Sequence, residues 1–319
     1  MVTVPVLGII AAVLLVLSPV WIPAAMVLDL ARGKRRLPTV RLMLFALLWT
    51  WNELVGVATL FLLWAALQGR NLRAHYAVQR WWCGNIITAL RVTVGLRVDV
   101  IGAEHAGRGP YLVFARHASL ADSIISCFVV NNTMRLDPRY VLKSDLEKIP
   151  CLDILGHRMP NCFVRRGTGN VQAELDALTR MMDGFGPGGA AVIFPEGSRA
   201  NPEKRARELA RIAERNPERH GRLSGLQRLL PPKPAGAGAL MAAAPGADIV
   251  TMWHEGLDGL DTFGGMLAAL GERKVRAHIV VTVHPRAEVP GGDGFAEWID
   301  GRWVEMDDAV AQFAQAPGV

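Results

Sequence analysis

The sequence lacks the cysteine spacing of a redox, zinc or disulfide module. Its four cysteines, Cys83, Cys127, Cys151 and Cys162, include no C-x-x-C pair and join no Cys/His cluster, so zinc ribbons and thioredoxin-type chemistry are excluded. Scattered thiols in a chain of this length fit a reducing compartment. No Lys or Arg precedes the first apolar stretch and no clear small-residue cleavage site follows it, which argues against a secretory signal peptide. There is no G-x-S-x-G elbow, the usual mark of an α/β serine hydrolase. Internal repeats and disordered linkers are missing as well.

The chain does have an excess of apolar residues near its start. Hydrophobic residues make up 51% of its 319 residues, and the excess falls mainly in the first seventy, so it points to a membrane segment rather than an oversized core. Val4 to Leu28 carries no Lys, Arg or Glu and is long enough to cross a bilayer, with Pro19 and Pro23 expected to kink it. Basic residues Arg32, Lys34, Arg35, Arg36 and Arg41 follow, and a second apolar stretch runs from Leu42 to Leu67, interrupted by Asn52 and Glu53. Two full spans would put the basic turn in the cytoplasm and the rest of the chain outside. A hairpin that enters and leaves one leaflet keeps the remainder cytoplasmic, and residues 1–69 are read as such an anchor. A charge in the bilayer centre is costly, so Glu53 is expected to be neutral, paired or near the interface. Residues 70–95 mix arginines with Trp81, Trp82, Ile86, Ile87 and Leu90 and read as an interfacial amphipathic helix. The net charge of +6, beside such a segment, favours anionic lipid and phosphorylated substrates over nucleic acid as partners.

Residues 70–319 then read as an α/β domain, a mixed sheet flanked by helices. Short apolar runs at 96–101, 111–115, 190–194, 249–253 and 278–283 read as strands, and 120–130, 171–182 and 300–313 as helices. An insertion near 201–230 opens on Asn201-Pro202-Glu203, a helix start with cap, proline and early acid. Its pattern is that of a solvated surface helix, with Glu203/Arg207 and Lys204/Glu208 at i,i+4 spacing. Its place just after the third motif below also allows a substrate-covering or membrane-touching role.

Three groups of residues carry chemistry. In Arg116-His117-Ala118-Ser119-Leu120-Ala121-Asp122, a separation of five residues turns about 500° in an ideal helix. His117 and Asp122 therefore meet only if His117 lies in the turn before the helix and Asp122 in its first turn. A carboxylate on one imidazole nitrogen then leaves the other free to take a proton. Phe163-Val164-Arg165-Arg166-Gly167 offers adjacent guanidinium groups. Phe194-Pro195-Glu196-Gly197-Ser198-Arg199 offers a tight turn at Gly197, a carboxylate that can bind a hydroxyl or hold Arg199, and an arginine fork suited to phosphate.

In this order the three groups resemble the blocks of the glycerolipid acyltransferase family, relatives of 1-acylglycerol-3-phosphate acyltransferase, over about residues 95 to 285. Lys143, Leu146, Pro150 and Gly156 add smaller matches. The loop after Arg199 and the ending Trp298-Ile299, Trp303-Val304-Glu305 and Asp307 resemble a branch containing lysophosphatidic acid and lysocardiolipin or lysophosphatidylinositol acyltransferases. The resemblance implies catalytic roles for His117 and Asp122. It implies acceptor and phosphate binding by Arg165, Arg166, Glu196, Gly197, Ser198 and Arg199. It also implies an acyl-CoA donor, with acyl carrier protein as the alternative, and no metal or bound cofactor. Two departures stand out: Arg116 replaces an asparagine common before the histidine, and Ile249-Val250 leads into Thr251-Met252-Trp253 without the family's proline. Rival readings are a covalent hydrolase using Ser119 or Ser198 and a non-catalytic membrane lipid-binding protein.

Overall fold

The computed structural model describes residues 3–119, 121–164, 171–257, 260 and 262–315. The chain runs α1 (Thr3–Val16), α2 (Ser18–Ala31), α3 (Pro38–Ala65), α4 (Leu72–Val94), β1 (Arg97–Ile101), β2 (Tyr111–Ala115), α5 (Asp122–Cys127), β3 (Asp137–Lys143) and α6 (Pro150–Arg158). It continues β4 (Cys162–Val164), α7 (Val171–Met181), β5 (Gly189–Ile193), α8 (Pro202–Arg215), α9 (Pro217–Leu223), α10 (Pro234–Ala243), β6 (Asp248–Glu255), α11 (Phe263–Glu272), β7 (Arg276–His284) and α12 (Asp293–Gln315). These elements gather into two compact units. One holds residues 1–97, 143–161 and 259–276, and the other holds 98–142, 162–258 and 277–319.

The first unit is helical. α1 and α2 meet at a 72° bend. Pro19 has no N–H for the carbonyl four residues back and its ring crowds that carbonyl, so the helix breaks at Leu17, two residues earlier. The indole of Trp21 donates to the Leu14 carbonyl at 2.7 Å, which satisfies an acceptor near the break. The turn after α2 is fixed by Asp29, whose carboxylate accepts from Thr39 N at 2.9 Å and Thr39 Oγ1 at 2.7 Å and so caps α3. At 28 residues α3 is the one single helix, among the described residues, long and apolar enough to cross a membrane. Ile9, Val16, Val20, Val27, Phe61, Leu62 and Trp64 on these helices are exposed. Glu53 is paired: it is fully buried and accepts from Trp82 Nε1 at 2.9 Å and Cys151 N at 3.1 Å. α4 is capped by Asn71 and ended by Gly95 in the left-handed region, and it buries Tyr76, Trp82, Ile86 and Ile87 while Trp81 and Val92 stay exposed.

The second unit is a mixed α/β sheet flanked by helices, with strand order β1-β7-β6-β2-β5-β3-β4. β2 lies parallel to β5 and β6, β3 is parallel to β5, and β7 is antiparallel to β6. β2 is buried along its whole length, as a central strand covered on both faces must be. One face packs Leu112, Phe114, Ala191, Ile193 and Ile249 against Leu178 and Met181 of α7, Leu240 of α10 and Ile299, Trp303 and Met306 of α12. Burying the indole of Trp303 and the phenyl of Phe114 contributes about 1.5–3 kcal/mol each. The helix expected over 120–130 is shorter as an α-helix: α5 ends at Cys127 and passes into a wider turn at Phe128–Thr133. α12 starts seven residues earlier than the pattern indicates, at Asp293. α8 forms as its cap predicts, with Asn201 Oδ1 accepting from Lys204 N at 2.8 Å, and it buries none of its residues. Its ion pairs are re-sorted, since Glu208 meets Arg211 at 3.4 Å and the Lys204 ammonium turns back to the Arg199 carbonyl at 3.2 Å.

Candidate active site

Three parallel strands place the site. β2, β5 and β6 run the same way, so the turns after them meet at one edge of the sheet, where side chains from separate segments converge. β2 stops at Ala115 opposite Met252, and Arg116 N extends the ladder by one bond to Met252 O at 2.9 Å. β6 runs three residues further, supported by β7 through Trp253↔Val280, His254↔Ile279 and Glu255↔His278. That overhang brings His254 and Glu255 beside the turn that carries His117.

His117 lies in this turn and Asp122 is the first residue of α5, as the spacing requires. His117 Nδ1 lies 2.9 Å from Asp122 Oδ2. Oδ2 also accepts from Ala118 N at 2.6 Å and Ser119 N at 2.8 Å, while Oδ1 accepts from Ser119 Oγ. An ionised carboxylate only accepts, so Nδ1 carries a proton, and in the neutral imidazole Nε2 then has the lone pair. The His117 ring lies against Phe194, with centroids 4.7 Å apart, and its side chain keeps 21% exposure where Asp122 keeps 1%.

A second histidine completes the carboxylate's surroundings. His254 Nε2 lies 2.9 Å from Asp122 Oδ1 as a charge contact without the alignment of a hydrogen bond. Burial pushes the Asp122 carboxyl up, but the charge of His254 and the donors on His117 and Ser119 outweigh it and hold the carboxyl well below the usual carboxylate range. Arg116 is buried, pairs with Glu255 Oε2 at 2.8 Å and donates to the His254 carbonyl. It therefore props the overhang of β6.

Glu196 serves differently from the sequence expectation. It is 1% exposed, and its two oxygens accept from His117 N at 2.7 Å and Leu230 N at 2.9 Å. Each oxygen accepts one backbone bond, so Glu196 holds the histidine turn. Burial pushes this carboxyl up to about 8, against the lowering by the two N–H groups and by Arg116. Gly197 has φ +67°, the left-handed conformation that makes the turn, and its N–H closes back on Phe194 O at 2.9 Å. Ser198 and Arg199 are half-buried in the same turn, and Ala200 N donates to His117 O at 2.8 Å, which joins that turn to the histidine turn. Ser119 is buried with its Oγ committed to Asp122, so it is no accessible nucleophile. Arg165 and Arg166 lie outside the described residues.

The sequence motifs do not include His254 or Glu255, and they mark Asp307 without its role. Asp307 accepts three backbone bonds, from Gln227, Arg228 and Leu229 N at 2.7, 2.7 and 2.6 Å. A polar His-Glu pair closing an apolar strand run is the signal that could have marked the first two.

An imidazole oriented by a buried carboxylate at the carboxyl edge of a parallel sheet is equipment for general-base group transfer. The Acyltransferase family model matches residues 97–255, which include every member of this cluster. Residues 97–255 thus form a domain of that acyltransferase family. Among solved structures it is similar to the 1-acyl-sn-glycerophosphate acyltransferase PlsC from Thermotoga maritima, at 12% identity and a TM-score of 0.46, over 85% of this chain and 100% of that one. No curated protein matches the sequence.

Proposed function

We propose that the chain transfers a fatty acyl group from an acyl thioester to the free hydroxyl of a lysophospholipid, with 1-acylglycerol-3-phosphate as acceptor and phosphatidic acid as product. The observation that carries this reading is the 2.9 Å contact from His117 Nδ1 to a carboxylate held ionised by its surroundings. His117 Nε2 takes the proton of the acceptor hydroxyl as its oxygen attacks the thioester carbonyl. The C–S bond then breaks, and the imidazolium returns the proton to the leaving thiolate. Base catalysis of this kind contributes about 10²–10⁴-fold, and positioning adds more. Arg199, with Arg165 or Arg166, grips the acceptor phosphate as a planar fork. The donor is acyl-CoA used as co-substrate, and no bound cofactor takes part.

Residues 1–69 act as the anchor and 70–319 carry the transferase. Exposed apolar side chains on α1, α2 and α3 support membrane association, and a hairpin in one leaflet leaves the transferase on the cytoplasmic side with its thioester donor. The test is purified full-length chain with labelled acyl-CoA and a panel of lysophospholipids, read by mass. Phosphatidic acid as the main product is expected. Free fatty acid alone would indicate a hydrolase, and no turnover with any acceptor would indicate a lipid-binding protein.

A further inference from the structure

Beside the His117 turn lies a cavity of about 180 Å³, roughly six times the share of liquid volume a water occupies. Ala118 and Ala200 form its side nearest His117. The insertion supplies the rest, with Asn201 and Arg205 at the start of α8 and Gln227 and Arg228 after α9. None of these four residues belongs to the three motif groups. Arg116 reaches the cavity too, but its charge is met by Glu255. Among the described residues, neither Arg205 nor Arg228 has a carboxylate partner. On the same insertion Arg211 is paired to Glu208 and Arg219 to Asp300.

The segment that carries Gln227 and Arg228 is held far more firmly than an exposed loop requires. Gln227 N, Arg228 N and Leu229 N all bond to Asp307, and Leu230 N bonds to Glu196, the same carboxylate that holds His117 N. α9 is pinned by a two-toothed contact of Arg219 on Asp300, with Nε to Oδ2 at 2.9 Å and Nη2 to Oδ1 at 2.8 Å. Two buried carboxylates, Asp307 and Glu196, thus fix residues 227–230 in register with the catalytic histidine, and a third, Asp300, pins α9 before them. Burying carboxylates is costly, and the result is a fixed backbone under Arg228, which faces Arg205 of α8 across the cavity; two guanidinium groups without carboxylate partners suit a phosphate.

We propose that this cavity is a second anion subsite of the transferase, in which Arg205 and Arg228 bind a phosphate group of one of the two substrates. This rests on the acyl-transfer reading above. The surface helix α8 then serves as one wall of a substrate site. The phosphate comes from the nucleotide part of a coenzyme A donor or from the lysophospholipid headgroup.

Equilibrium binding to the full-length chain in detergent micelles tests it, with coenzyme A, dephospho-coenzyme A and 1-acylglycerol-3-phosphate as probes. Arg205→Ala and Arg228→Ala should each weaken one phosphate-bearing probe by about tenfold, and the double variant by about a hundredfold. Arg215→Ala on the same helix, which does not line the cavity, should bind as the wild type does. Weakened coenzyme A with unchanged lysophospholipid assigns the cavity to the donor, and a dephospho form that binds all variants alike narrows the contact to the 3′-phosphate. The reverse pattern assigns the cavity to the acceptor. Dissociation constants within about twofold of wild type for the double variant, against every probe, overturn the proposal, as does wild-type chain that binds none of them. If the binding pattern holds while wild-type chain transfers no acyl group, the acyl-transfer reading fails and the anion subsite stands.

Discussion

Replacing Asp122 with asparagine separates the charge of this side chain from its shape. Oδ2 serves His117 Nδ1, Ala118 N and Ser119 N, and an asparagine carbonyl oxygen in that place still accepts from all three. The amide nitrogen then faces Ser119 Oγ, which can rotate to accept, and His254 Nε2, which accepts in the Nδ1-protonated tautomer, so the turn should survive. What is lost is the negative charge against which the His117 imidazolium forms. Two unit charges about 4 Å apart interact by about 4 kcal/mol at an effective dielectric near 20. The His117 side chain keeps 21% exposure, and screening reduces that to about 2–3 kcal/mol. The expected fall in kcat is therefore about thirty- to two-hundredfold, at about 1.4 kcal/mol per decade, with acceptor KM changed less than about threefold. Thiol release from acyl-CoA, measured continuously with a chromogenic disulfide, gives both constants. An Asp122→Asn enzyme that keeps more than about half of wild-type kcat would refute the reasoning, since the carboxylate would then be doing nothing for the imidazole.

His254→Gln removes the ring contact to Asp122 Oδ1 while leaving His117 in place, so kcat should fall by about tenfold with acceptor KM unchanged; an unchanged kcat would place His254 outside the catalytic arrangement. Glu196 has a folded pKa raised from 4.5 to about 8, so the folded state binds more protons than the unfolded state in that interval and wild-type stability falls as pH rises through it. Glu196→Gln should cost about 1–3 kcal/mol near pH 5 by spoiling one backbone bond, and the deficit should shrink or reverse by pH 9; urea unfolding at both pH values checks this, and a deficit that widens with pH contradicts it. Asp307→Ala orphans three backbone N–H groups and should destabilise the fold by about 2–4 kcal/mol, with protease cleavage appearing first between residues 224 and 231; cleavage elsewhere would show that Asp307 does not hold this segment.

What the sequence revealed divides by range. His117 and Asp122 were legible because their meeting is local: five residues of spacing and one turn of chain decide it. The cap at Asn201, the buried strand at 111–115 and the break before Pro19 are local in the same way. His254 was not legible, because its approach to Asp122 depends on β6 lying parallel to β2 with Met252 opposite Ala115 and on how far β6 overruns its neighbour. Glu196 shows the same limit. Its residue type and motif were visible, but its partners, His117 N and Leu230 N, lie 79 and 34 residues away, and only the folded chain shows which backbone groups its oxygens hold. Asp307 was marked by the resemblance of the chain's ending, but the backbone segment it holds is seen only in the folded chain.

The account depends most on His117 acting as the base. The direct measurement is transfer by His117→Ala against wild type, with full-length chain, acyl-CoA and 1-acylglycerol-3-phosphate, alongside the dissociation constant of the acceptor. A loss of at least about a hundredfold in kcat with the acceptor bound as tightly as before is the predicted result. A variant that keeps its turnover within about tenfold of wild type would contradict it.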